Sequence, residues 1–176
     1  MMQARLEQAG LVLATLCRVI AGIALVALLA VTITDVGTRY LYRLTEGAIA
    51  LRVTGSVELV SYLMLFSLLA AMAANVERSQ VVVEAFSHGL SSSIKARLHG
   101  VYLLGFAALG LVLFIGLIDA GGAAARHGEV TQDLRLPMGP IYYLAACLGL
   151  LLGIRSLIHA VLSAVFGVEG EEAHGE

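Results

Sequence analysis

Eighteen consecutive residues without a charge, Leu59 to Val76, constrain this chain more than any other feature. A helix of that length is just long enough to cross the hydrocarbon core of a bilayer. Glu58 stands before the run, and Glu77 and Arg78 stand after it. The sequence then changes character. Over Gln80 to Leu90, Val82, Phe86 and Leu90 take one side of a helix, and Gln80, Glu84 and His88 take the other. That pattern predicts a spanning helix followed by an amphipathic helix lying in the membrane plane.

Three further apolar runs surround this pair. The first, Leu11 to Ile33, is interrupted by Arg18, whose stem can lie on apolar surface while its head reaches the headgroups. A secretory signal peptide is the competing reading, because Arg5 and Arg18 precede an apolar core. No small-x-small cleavage site follows, and Asp35 to Tyr40 continues at helical spacing. The third run is Gly100 to Ile118. The fourth, Leu136 to Ile154, begins at Pro137 and Pro140, which a first helical turn tolerates, and can run past Arg155 toward Phe166. Its Gly149-x-x-x-Gly153 is a candidate helix-contact face.

The fold expected is an all-α integral membrane protein with four transmembrane helices and short interfacial amphipathic helices. The spans fall at about 14–36, 57–76, 98–119 and 137–160, and the interfacial helices at about 42–54 and 80–92, all in one domain over 1–166. An acidic, disordered tail is expected over 167–176. Ser56 is the expected cap of the second span, with Glu58 in its first turn, and Asp119 to Asp133 reads as a loop. The composition agrees: 59% of the 176 residues are hydrophobic and 14% charged, against roughly a quarter charged in soluble domains. The net charge of −2 gives no basic field for nucleic acid. Cys17 and Cys147 both sit in apolar runs and read as small buried hydrophobes. Four spans put both termini on one side. That side holds Arg5, Arg18, Arg78, Lys95, Arg97 and Arg155. The other holds Arg39, Arg43, Arg52, Arg126 and Arg135. Six against five favours both ends inside by a single charge.

Charges at bilayer depth are costly and point to function. Arg18, Arg78 and Arg155 fall at expected span ends and read as interfacial. Asp35 and Arg39 are four apart on one helix face. With Glu58 they bracket one loop, as an interhelical network or a partner contact, and pairing of Arg39 with Glu58 is one form it can take. Arg78, Gln80 and Glu84 complete the candidate contact set. His99 and His159 fall near span ends on one side, which keeps a haem-b anchor as an alternative function. A structural or assembly protein is the other alternative. There is no HExxH, CxxC, phosphate-cradling loop or nucleophile elbow, so no enzyme activity and no cofactor are expected.

The order of these features resembles the small membrane subunit (DctQ-like) of tripartite ATP-independent periplasmic (TRAP) transporters. The first span leaves through Asp35-Val-Gly-Thr-Arg39-Tyr40, similar to the family's Arg-Tyr exit. The second begins Val57-Glu58-Leu59, like its Glu-Leu start. Ala70 to Arg78 leads into Gln80-Val81-Val82-Val83-Glu84, and the last span opens Leu136-Pro137-Met138-Gly139-Pro140-Ile141-Tyr142-Tyr143. The resemblance covers roughly Val19 to Ile158. Gln80 stands where the family often has His, Glu84 where it often has Asp, and no Trp precedes Glu58. The resemblance implies a non-catalytic subunit of a sodium-coupled importer of organic acids such as C4-dicarboxylates. It implies three partners: a large multi-span membrane subunit holding the substrate and sodium sites, a periplasmic substrate-binding protein, and membrane lipid. It also implies a bacterial inner-membrane location with both termini cytoplasmic. On that topology Asp35 to Glu58 and Asp119 to Asp133 face the periplasm as candidate docking loops.

Overall fold

The computed structural model of the chain describes residues 2–46, 48, 51, 53–76 and 92–166. Four helices account for most of them: α1 (Met2–Leu44), α2 (Ser56–Ala74), α3 (Ser92–His127) and α4 (Met138–Phe166). Each is long and apolar enough to cross a membrane. Large apolar side chains stay exposed around the outside, among them Leu11, Ile23 and Ile33 on α1 and Val101 and Val112 on α3. In water such surfaces are unfavourable, and in lipid they carry no penalty. The architecture is that of an all-α multi-pass membrane protein.

α4 is the hub. It packs along α3 and also touches α2 and α1, while α1 lies mainly on α2. The α3–α4 crossing is set by glycine. A Cβ on Gly110 would collide with the backbone of Gly153, and one on Gly149 would lie 3.2 Å from Cβ of Leu113. The Gly149-x-x-x-Gly153 motif therefore faces α3, where the two backbones meet directly. α1 packs through small residues: Gly10, Ala14, Cys17 and Ala24 are buried and Ala21 half-buried, alternating at four and three residues. Leu28, Val31, Asp35 and Thr38 carry the same stripe on toward the end of the helix. Ser67 of α2 donates to the carbonyl of Ala21 at 3.1 Å across this seam.

The helices differ in length, and the difference orders the molecule. At 1.5 Å per residue, α2 spans about 28 Å, α4 about 44 Å and α1 about 65 Å. Only α2 matches a hydrocarbon core of about 30 Å. With Ser67 level with Ala21, roughly the last 18 Å of α1 extends beyond the start of α2. We call this the loop end, since the α1–α2 connection and the α3–α4 loop both lie there. At the opposite, terminal end, α1 begins and α4 finishes. The buried core also lies there: Cys17, Ala73, Ala74, Val76, Leu103, Leu152 and Ala160, with Phe106 and Leu151 against it.

Three local expectations change. α1 is one helix through Leu44, and the described residues between 45 and 55 form turns and bends instead of a helix over 42–54. Thr45 and Ala48 close those turns on the carbonyls of Leu41 and Thr45. α3 continues to His127, taking in residues expected as loop. The alanine-rich stretch holds the helix, and Gly121 lets α3 approach Tyr142 and Tyr143 of α4. Gly128 at φ +65° then ends α3, with the amide of Glu129 closing on Ala124 at 2.9 Å. Finally, Gly55, not Ser56, occupies the cap position of α2, and Ser56 is its first helical residue. The expected membrane-plane helix over 80–92 and the tail over 167–176 lie essentially outside the described residues, which resume within α3 at Ser92.

Candidate functional site

The loop end is built around one carboxylate. Glu58, in the first turn of α2, accepts the backbone N–H of Asp133 at 2.8 Å and of Leu134 at 3.1 Å. Its negative charge also suits the helix N-terminus on which it sits. The loop that supplies these amides is internally fixed. Thr131 donates its amide to the Leu136 carbonyl at 2.9 Å, and the Leu136 amide donates to the Thr131 hydroxyl at 3.1 Å. Met138 closes on Glu129 at 3.0 Å, and Val130 bridges Pro137. The arrangement presents two adjacent N–H groups to α2, a geometry suited to a carboxylate.

Two more contacts seat the loop. Gly55 holds φ +73°, and a Cβ there would strike the side chain of Leu134. Only glycine satisfies both the backbone angle and the space. One turn beyond Glu58, the Tyr62 hydroxyl lies 3.4 Å from Sδ of Met138 at the start of α4. The start of α2, with Gly55 just before it, is thus clasped to the α3–α4 loop. Around it, Glu129, Gln132, Asp133 and Arg135 are exposed or partly exposed.

Asp35 and Arg39 take a different arrangement. They pair with each other on α1 at 2.9 Å, with Asp35 largely covered and Arg39 67% exposed. The structure therefore brings together two of the three charges read as a bracket, and gives Glu58 partners on another loop. Arg78, Gln80 and Glu84 lie outside the described residues.

At the terminal end, Arg155 is fully buried in the core. Its guanidinium donates to the carbonyl of Ala73, in the last turn of α2, and to Nε2 of His159 at 3.4 Å. Two other late carbonyls of α2, those of Ala71 and Met72, are met locally. Asn75 gives its amide to Ala71 and Met72, and its side-chain amide to Ala71 at 2.9 Å. A helix end buried in a protein core needs its last carbonyls satisfied without water, and a cation there also suits the dipole. His159 is turned to Arg155 and to Gly10, whose position would put a Cβ 3.6 Å from Nε2. The side chain of His99 lies outside the described residues.

From the sequence Arg155 reads as an interfacial charge, although the expected span, 137–160, already runs past it. The signal was present: apolar residues resume at Leu157 and run to Phe166, so the arginine interrupts a helix instead of closing it. The partners of Glu58 are main-chain amides of a loop, which carry no side-chain pattern to read.

The family model described as "Tripartite ATP-independent periplasmic transporters, DctQ component" matches residues 28–166, well over half of the chain. No curated protein and no solved structure matches it.

Proposed function

The chain belongs to the DctQ component family and is a small permease subunit of a TRAP transporter, and from that premise we propose that it serves a sodium-coupled importer of organic acids, without catalysing a reaction itself. In this reading it scaffolds the large transport subunit and helps dock a periplasmic binding protein. The loop end is periplasmic and the terminal end cytoplasmic, in the bacterial inner membrane. The observation that carries the reading is the family match, which runs from residue 28 within α1 through the other three helices. The clasp supports the docking part: Glu58 and Gly55 fix the 131–134 loop, so that end offers a shaped surface in place of two independent loops. A preformed surface binds with less ordering cost than a mobile one. The exposed apolar faces of α1 and α3 supply area for lipid and for the large subunit. Candidate contact residues remain Asp35, Arg39, Glu58, Arg78, Gln80 and Glu84. Glu58 serves by shaping the surface, since its oxygens are engaged by the loop.

Affinity purification of the tagged chain, co-expressed with the large TRAP membrane subunit and the binding protein of the same organism, tests this. The large subunit should co-purify in a fixed ratio in mild detergent. Recovery of this chain alone under conditions that preserve both folds would contradict the proposal.

A further inference from the structure

α2 is joined to α4, or to the loop leading into it, by polar contacts near both of its ends. At the loop end Glu58 takes the amides of Asp133 and Leu134, four to five residues before α4 starts. At the terminal end Arg155 of α4 takes the carbonyl of Ala73. The contacts are about 22 Å apart along α2 and, counted from Met138 to Arg155, about 25 Å apart along α4. Two stiff rods of nearly equal length, joined at both ends, make a closed frame.

We propose that Arg155 is a positioning residue for the loop-end clasp, acting through α2 as a rigid strut, so that the two contacts are energetically coupled across the membrane. A helix does not compress along its axis, and its side chains keep their register. Holding Ala73 fixes the axial position and rotation of α2. It thereby sets where Glu58 meets the two amides and where Gly55 meets Leu134. Release of Arg155 lets α2 slide or rotate on α4, where its remaining contacts are mainly packing. The residues buried there, Ala70, Ala73 and Ala74, carry no polar side chain that could replace the Arg155 contact. Sites linked through a shared backbone element show coupling even when they do not touch. The inference concerns this chain alone and stands apart from its role in transport.

Amide hydrogen exchange on the full chain in lipid nanodiscs tests it. Arg155→Met should speed exchange of the Asp133 and Leu134 amides about tenfold, in the usual range of coupling between sites. Arg155→Lys, which keeps a donor but loses the fork, should fall between. Leu152→Ala serves as the control: it opens the core that Leu152 shares with Ala73 and Ala74, yet leaves the Arg155 hydrogen bond to Ala73 in place. It should leave those two amides protected. If Arg155→Met does not fold, Glu58→Gln reads the same coupling in reverse, as faster exchange of the Asn75 amide at the far end of α2. Unchanged loop amides in Arg155→Met, or equal acceleration in Leu152→Ala, overturns the proposal. An unchanged Asn75 amide in Glu58→Gln overturns it equally.

Discussion

Glu58 binds Asp133 through the main chain, at 2.8 Å and across 75 residues of sequence. The contact ties the second helix to the loop before the fourth, and it asks nothing of the Asp133 side chain. Asp133→Asn and Asp133→Ala should therefore leave the fold intact, whereas Glu58→Ala should lower the thermal midpoint and expose the 131–134 loop. Limited proteolysis at Arg135 reads this directly. It should accelerate in Glu58→Ala and stay at the parental rate in the two Asp133 variants.

Glycine at position 55 answers to two constraints at once, and position 128 to one. Gly55→Ala meets a positive φ and the Leu134 side chain. Gly128→Ala meets only a positive φ, with open space around it. A non-glycine residue in that backbone region costs on the order of 1–3 kcal/mol. Gly55→Ala should exceed Gly128→Ala because the Leu134 collision adds to the backbone strain. Gly128→Asn should recover part of the loss, since Asn tolerates the left-handed region. Thermal unfolding in detergent ranks the three.

The α3–α4 crossing separates packed glycines from open ones. Gly110→Ala forces apart backbones that touch, and overpacking of this kind costs about 1–3 kcal/mol. Gly105→Ala and Gly116→Ala meet nothing within 4 Å. They should be neutral or slightly stabilising in the isolated subunit, because alanine loses less backbone entropy in a helix. If either one instead blocks recovery of the large subunit, that face of α3 is part of the assembly contact.

Arg39 has its partner on its own helix. Arg39 is exposed but Asp35 is largely covered, so Arg39→Glu, which sets a like charge beside that carboxylate, should lower stability by up to about 1 kcal/mol. Any loss of transport in that variant should be restored by Asp35→Arg and not by Glu58→Arg. The reverse pattern in uptake assays would return Glu58 to the charge network read from the sequence.

Much of the fold is legible in the residues, because the membrane leaves few options. Uncharged runs near twenty residues long predict spans, and the Gly149-x-x-x-Gly153 motif points to the helix contact that the structure contains. Helix ends are less legible. Asp119 and Gly121-Gly122 read as the start of a loop, yet α3 continues to His127 because Tyr143 packs where Gly121 has no side chain. Arg155 reads as a boundary charge because the uncharged run stops just before it, even with the helix expected to continue. Its partner is a carbonyl on another helix, and main-chain acceptors look alike in every sequence. The seam of α1 hides for a related reason: most residues between Gly10 and Ala24 are apolar, so the buried stripe shows in residue size, with Gly10, Ala14, Cys17, Ala21 and Ala24 in register, and not in polarity.

As the small subunit of a TRAP transporter, this chain is proposed to be required for uptake. Sodium-driven uptake of a labelled carboxylate into proteoliposomes tests it most directly, with the binding protein supplied and the large subunit reconstituted with or without this chain. Uptake is predicted only when both membrane subunits are present. Equal uptake by the large subunit without this chain, or uptake by this chain alone, would contradict it.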